Sequence, residues 1–371
     1  MTIALADVLP GIAARAAEHD RDGSFPHEAF ADLHKAGVLN LTVPAELGGG
    51  GATLAEAVEV VGAVGAADPS VALVLAMHLL HHAVLRAPDC PWPTEVRRRV
   101  QRSSLDGVAL LNALRVEPDL GTPARGGLPA TVAARGGDGW TLRGRKIYST
   151  GAPGLSWLLV WARTDDPRPR TGSFLVPADA PGIRIDPTWD HLGMRATRSD
   201  DVIFDGVPVP ADHAVDVRPA EEQPPRPGGA FPAWNALLIS AIYDGVARAA
   251  RDWLVGYLNE RTPANLGRPL ATLPRFQAAV GRIEALLSAN RTLLAAAARE
   301  ERDADGAALV KHTVTGNAVR AVETGLTLIG NPGLSRRNPI ERHYRDVLCA
   351  RIHTPQDDTI LTGAGTAALA R

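Results

Sequence analysis

The sequence predicts a multidomain α+β protein in three parts: an N-terminal helical domain, a middle antiparallel β-barrel and a C-terminal four-helix bundle. Two observations carry this. Apolar residues recur at helical spacing through roughly the first hundred positions and again beyond 230. Between them, short strand-like runs are separated by Gly and Pro turns. A length of 371 residues suits two or three domains, and a 45% hydrophobic fraction is enough for a sizeable core. The expected divisions are 1–105, 106–212 and 230–371, with a Pro-, Glu- and Asp-rich connector at 211–229.

In the first part, Phe30 and Leu33 share one face of a helix over 27–37. Thr53 caps a run in which Leu54, Ala57, Val58, Val61 and Val64 keep a helical period. Asp68-Pro69-Ser70 punctuates the next helix, over 71–86. Strands are expected at 108–116, 140–148, 157–162, 173–176 and 202–209, where the spacing suits a compact barrel or sandwich. Long helical patterns follow at 234–261, 274–302 and 308–329. A further helix is expected over 339–353, after the Gly330-Asn331-Pro332-Gly333 break. Apolar residues on more than one face of these helices fit a bundle and a homodimer or homotetramer.

Charge and composition exclude several classes. The 39 basic and 41 acidic residues leave a net charge of −2, which gives no field for nucleic acid or an anionic membrane. Two cysteines, Cys90 and Cys349, make neither a disulfide framework nor a Cys-based metal site. The first twenty residues lack the character of a signal peptide, and the greasiest stretch, 71–85, is interrupted by histidines and too short to span a bilayer. A soluble cytoplasmic protein is expected. Only Lys35, Lys146 and Lys311 are lysines; the remaining basic residues are arginines.

Five segments, in order, resemble the acyl-CoA dehydrogenase superfamily of flavoproteins. They are Pro44-Ala45-Glu46-Leu47-Gly48-Gly49-Gly50-Gly51, Glu117-Pro118-Asp119-Leu120-Gly121-Thr122, Gly144-Arg145-Lys146-Ile147-Tyr148-Ser149-Thr150-Gly151, His191-Leu192-Gly193-Met194-Arg195 and Glu341-Arg342-His343-Tyr344-Arg345-Asp346. The resemblance implies FAD, with FMN as the alternative, bound between the β domain and the bundle. Thr122, Tyr148 and Thr150 would line that site, Tyr148 and Thr150 alternating onto one face of a strand. Arg261 matches an arginine that reaches the cofactor of a neighbouring subunit, and Gly330 belongs to the turn equivalent to the family's Gln-x-x-Gly-Gly, altered here.

The resemblance also exposes a gap. Family dehydrogenases take an α-proton from an acyl thioester with a glutamate, whose two known positions fall here at Thr354 and Asn235. Neither is a base. Asp357 and Asp358 are candidate replacements, or else N-terminal charges on a helix over 356–361. His353, in His353-Thr354-Pro355, resembles instead the histidine of flavin-dependent monooxygenases on this fold, where an imidazole suits proton transfer with a flavin–oxygen adduct. Within Met77-His78-Leu79-Leu80-His81-His82, His78 or His82 would point at the flavin. Two activities follow: desaturation of an acyl-CoA or related small substrate, passing electrons to an electron-transfer flavoprotein, or two-component oxygenation with reduced flavin from a reductase. A scaffold that kept the fold without the chemistry is the third reading.

Overall fold

The computed structural model describes residues 5–120, 127–222, 229–300 and 303–370. The N-terminal part is helical: α1 (Leu5–Asp22), α2 (His27–Lys35), α3 (Leu54–Ala67), α4 (Pro69–Leu85) and α5 (Thr94–Asp106). Thr53 starts α3 with a reciprocal cap. Its hydroxyl accepts the Glu56 N–H, and the Glu56 carboxylate accepts the Thr53 N–H at 2.8 Å. Every apolar position expected on that helix face is buried. Asp68 then caps α4 by accepting the N–H groups of Ser70 and Val71.

Among the described residues, the middle part is one eight-stranded sheet in the order β6-β7-β3-β2-β4-β5-β8, with β1 also paired to β4. Its strands are β1 (Leu110–Leu114), β2 (Val132–Gly136), β3 (Gly139–Lys146), β4 (Leu155–Thr164), β5 (Arg170–Pro177), β6 (Ile183–Asp186), β7 (Asp201–Pro210) and β8 (Ala214–Pro219). The sheet is mixed, not purely antiparallel, because β4 runs parallel to both β1 and β2. Strands β2, β6 and β8 are additions to the sequence reading. They are short and half exposed, and β8 lies in the stretch read as a connector, so hydropathy alternation does not mark them.

The C-terminal part holds α6 (Phe231–Glu260), α7 (Pro274–Arg299), α8 (Ala304–Ile329), α9 (Pro339–Leu348) and α10 (Asp357–Leu369). Helices α3 and α6 cross at backbone distance. A Cβ on Gly65 would lie 2.8 Å from the Ile242 carbonyl oxygen, and one on Gly245 would lie 2.4 Å from that of Gly62. Only hydrogen at these positions lets the two helical parts touch. Inside the bundle, buried Asn290 donates to Asp244 at 3.0 Å and accepts from Asn317 at 2.9 Å. Helix α9 ends at Leu348, several residues earlier than expected, so His353 sits on a loop.

Two motif residues turn out to be framework. The Lys146 ammonium and the Glu117 carboxylate form a buried ion pair at 2.6 Å, and Glu117 also accepts the N–H groups of Ala130 and Thr131 and the Thr131 hydroxyl. Burial pushes Lys146 down to about 8 against the pull of Glu117. Burial likewise works against the Glu117 charge, yet the bonds from Lys146 and Thr131 prevail and hold its carboxyl below the ordinary range. The pair pins the end of β3, just before Tyr148, to the start of β2. Replacing Lys146 by Met leaves a buried carboxylate uncompensated, so the unfolding free energy should fall by about 3–5 kcal/mol. Chemical denaturation measures this, and an unchanged midpoint would contradict the pinning role.

Candidate active site

The site is framed where three parts of the chain meet. Arg345, on α9, donates to both carboxylate oxygens of Asp20 at the end of α1, to Glu341, and to the Leu192 carbonyl. Its neighbour Asp346 is buried and accepts the Met194 N–H at 2.7 Å. Between those contacts lies Gly193, where a Cβ would stand 2.3 Å from the Arg345 carbonyl oxygen. The segments Leu192-Gly193-Met194 and Arg345-Asp346 are therefore two halves of one joint. Burial lifts the Asp346 carboxyl to about 7 although the Met194 N–H opposes the shift.

Beside this joint the β part presents an aromatic ledge. Tyr148 is 55% exposed and takes a left-handed backbone conformation, φ 54°. Its ring meets Trp189 and His191 edge-on at 6.3 and 5.9 Å, and those two rings stack at 3.6 Å. The strand expectation for Tyr148 and Thr150 is corrected here. Strand β3 stops at Lys146, and both residues lie in the turn after it. The positive φ aims Tyr148 outward, where alternation would have laid it on the sheet. Thr150 and Ser199 share a hydroxyl hydrogen bond of 3.0 Å, and Thr197 continues the chain at 2.9 Å. Asn112 donates to the Thr150 carbonyl at 3.0 Å.

The third wall is the loop between α9 and α10. Lys311, fully buried on α8, donates to the carbonyls of His353 and Pro355 at 2.8 Å each. Asn235, one turn into α6, donates to the Thr354 carbonyl at 2.8 Å. Three consecutive carbonyls are thus tied down. The His353 Nδ1 lies 2.8 Å from the hydroxyl of buried Tyr243. Burial pushes the His353 imidazole down to about 4, with the Lys311 ammonium adding to the shift, so it is neutral at pH 7.

The other candidates divide. His78 is fully buried, with Nδ1 accepting the Leu111 N–H at 3.2 Å and Nε2 3.0 Å from the Leu39 carbonyl, so both nitrogens already hold main chain. His82 is also fully buried, its ring against that of His78 at 4.5 Å. The histidine of this helix that turns toward the site is His81, which sequence reasoning passed over. It hydrogen-bonds the Asn112 side chain and lies 6.0 Å from the Phe231 ring, one helical turn before Asn235. Asp357 lies 3.2 Å from His312 Nδ1, in the first turn of α10, while Asp358 is exposed there and accepts the Thr359 N–H. Arg261 and Gly330 are exposed at the ends of α6 and α8. Thr122 lies outside the described residues. Lys311 and Tyr243 were also unflagged, although Lys311 is one of three lysines in an arginine-rich chain. A compact ammonium, not a planar guanidinium, suits a buried point contact with several carbonyls.

These groups have the chemistry that a flat ring with hydrogen-bonding edges needs. It would find the exposed Tyr148 ledge, the Thr150–Ser199 hydroxyls, and the buried Ser149 hydroxyl, which has no partner among the described residues. The chain matches the family descriptions "Acyl-CoA dehydrogenase, N-terminal domain" over residues 10–87, "middle domain" over 115–207 and "C-terminal domain" over 237–357. The chain belongs to the acyl-CoA dehydrogenase family. It is 34% identical over 353 residues to YdbM of Bacillus subtilis (strain 168), named for the acyl-CoA dehydrogenases, covering 93% of this chain and 90% of that one. It is 32% identical over 371 residues to L-evernosamine nitrososynthase of a Micromonospora species, covering 92% and 83%. Among solved structures, KijD3 in complex with FMN and dTDP-3-amino-2,3,6-trideoxy-4-keto-3-methyl-D-glucose superposes with a TM-score of 0.84 at 31% identity, covering 100% of this chain and 93% of that one. The family likeness thus reaches both dehydrogenase-named and nitrososynthase-named proteins. Among the described residues, no helix is long and apolar enough to cross a membrane.

The buried histidines set an acid limit on stability. Burial pushes His78, His81 and His353 from 6.5 down to about 4 and His343 to about 3, and His82 well below its ordinary value. Between pH 6.5 and 4 the unfolded chain binds these protons and the folded chain does not, so acidification favours unfolding. Asp346 works the other way, binding its proton in the fold from about 7 downward against 3.8 unfolded, and burial raises Asp68 in the same direction, but these are two groups against five. The urea midpoint should therefore fall steadily from pH 6.5 to pH 4.5. A flat profile would show that the imidazoles are not held neutral by the fold.

Proposed function

We propose that this protein is a flavin-dependent monooxygenase built on the acyl-CoA dehydrogenase fold, using reduced flavin from a separate reductase to oxygenate a small polar substrate. The observation that carries this reading is the hydrogen bond between Asn235 and the Thr354 carbonyl. The two positions that the resemblance assigns to the dehydrogenase glutamate touch one another here, and neither holds a base. Desaturation needs a carboxylate at the substrate α-carbon. Asp357 lies beside His312 and contributes its charge to Lys311, which fits a role in holding the loop.

Tyr148, Thr150 and Ser199 would hold the flavin ring, and Arg261 and Gly330 would meet the cofactor of a neighbouring subunit in a dimer or dimer of dimers. Reduced flavin, when bound, supplies the electrons that activate oxygen. The chain's own contribution is a neutral imidazole, His353, fixed on a loop clamped by Lys311 and Asn235, with Asn112 and His81 as further polar groups behind Thr150. A neutral donor does not repel charge that develops on oxygen, as a carboxylate at the same place would. Similarity to L-evernosamine nitrososynthase and to KijD3 bound to an amino-sugar nucleotide supports FMN as the flavin and an amine-bearing sugar nucleotide as the substrate class. Similarity to YdbM favours the second reading, desaturation of an acyl-CoA.

One experiment separates them. Under anaerobic conditions, butyryl-CoA and octanoyl-CoA should leave the bound flavin oxidised over minutes, since losing a general base slows such a step about 10²–10⁴-fold. In air, with a reductase supplying reduced FMN, a dTDP-amino sugar should be oxygenated, and His353→Ala should divert consumed oxygen to hydrogen peroxide while flavin binding persists. Rapid bleaching by either acyl-CoA would overturn the oxygenase reading and make Asp357 and Asp358 the next residues to replace.

A further inference from the structure

His353 is oriented more tightly than an imidazole on a connecting loop ordinarily is. Carbonyls 353, 354 and 355 each accept a bond from a side chain of the bundle, Lys311, Asn235 and Lys311 again. The backbone on both sides of the ring is thereby anchored to α6 and α8. The ring itself meets Tyr243, whose centroid is 5.7 Å away and whose hydroxyl lies 2.8 Å from Nδ1.

The direction of that hydrogen bond follows from burial. Tyr243 has no exposed surface, and burial, with Cys349 and Asp346 nearby, pushes its phenol well above the ordinary value, so it stays an O–H. Among the described residues, that hydroxyl has one hydrogen-bond partner, His353 Nδ1. A buried O–H donates to whatever acceptor it has. Nδ1 therefore accepts, and a neutral imidazole that accepts at Nδ1 carries its proton on Nε2.

We propose that Tyr243 is a positioning residue that locks His353 in the Nε2–H tautomer, making His353 a fixed hydrogen-bond donor and not a proton acceptor. The inference rests on the oxygenase reading only for what receives that bond, an oxygen atom on which negative charge develops. No net proton moves. Taking a proton from a substrate carbon would need a lone pair at Nε2, and forming that tautomer would require the Tyr243 hydroxyl to turn away from its acceptor inside the core. The same lock closes α-proton abstraction by the histidine itself, which leaves the gap at Thr354 and Asn235 unfilled by this route.

The tautomer is readable without turnover. The full-length protein, labelled with ¹⁵N at histidine and studied with and without FMN, gives the protonation of each ring nitrogen from long-range ¹H–¹⁵N correlations, and His353→Gln assigns the signal. At pH 7.5, His353 should carry its proton on Nε2. Tyr243→Phe keeps the ring and removes the hydroxyl. It should release the Nδ1–H form by about two- to tenfold in population, the worth of one neutral hydrogen bond. Peroxide released per oxygen consumed with a dTDP-amino sugar should rise in that variant, with FMN affinity unchanged. A wild-type signal protonated on Nδ1, or on both nitrogens, would overturn the proposal whatever the activity, and so would a tautomer indifferent to Tyr243→Phe. An Nε2–H signal in a protein that acyl-CoA bleaches would support the lock and sink the oxygenase reading instead.

Discussion

Two adjacent residues on one helix, Arg345 and Asp346, bind two other parts of the chain at once. A guanidinium can do this because its donors point in several fixed directions, and here they reach Asp20, Glu341 and the Leu192 carbonyl together. The bonds to Asp20 come first in holding the Arg345 charge in place. Asp346 adds the Met194 N–H, so the loop ahead of β7 cannot slide along α9 without losing a buried bond. Two of the segments described above adjoin this joint in the chain. The Trp189–His191 stack lies immediately before it on the β side, and the clamped loop lies immediately after it on the helical side.

Two buried lysines hold the backbone around this joint. Lys146 and Lys311 are both fully buried: one donates to the Glu117 carboxylate, the other to the carbonyls of His353 and Pro355. An ammonium costs a great deal to bury unless its donors are satisfied. Satisfied, it immobilises the backbone around it. One lysine sets where β3 ends and Tyr148 turns outward. The other sets where His353 stands. The two lysines thus fix two separate segments of backbone without themselves being placed to do chemistry.

The fold therefore separates holding a ring from choosing a reaction. The aromatic ledge and the hydroxyls of Thr150 and Ser199 suit a flat cofactor under either activity. What differs between the two readings is confined to the loop and the face of α6 opposite it: a carboxylate against a neutral imidazole. Desolvation and the nearby Lys311 ammonium favour the neutral form of His353. The same desolvation would push a glutamate upward, which is what a proton-abstracting site needs.

Periodicity and turn residues, being local, were enough to read the three-part order, the capped α3 helix and most of the long helices from the sequence. Five strands were legible for the same reason, and β2, β6 and β8 were not, because their side chains are half exposed and their pairing partners are distant. Motif order alone pointed to the family, and the absence of glutamate at 354 and 235 needed only counting. The use made of each side chain was decided elsewhere. Three histidines within five residues of one helix have nearly the same local sequence context. Yet His78 ends up holding Leu39 and Leu111, and His81 meets Asn112. Tyr148 leaves the strand because residues 150 and 197–200 hold its turn. Lys311 and Tyr243 reach His353 from positions 42 and 110 residues away along the chain. A hydrogen bond's partner and direction depend on which groups the packed core leaves within 3 Å, and that is set by tertiary structure.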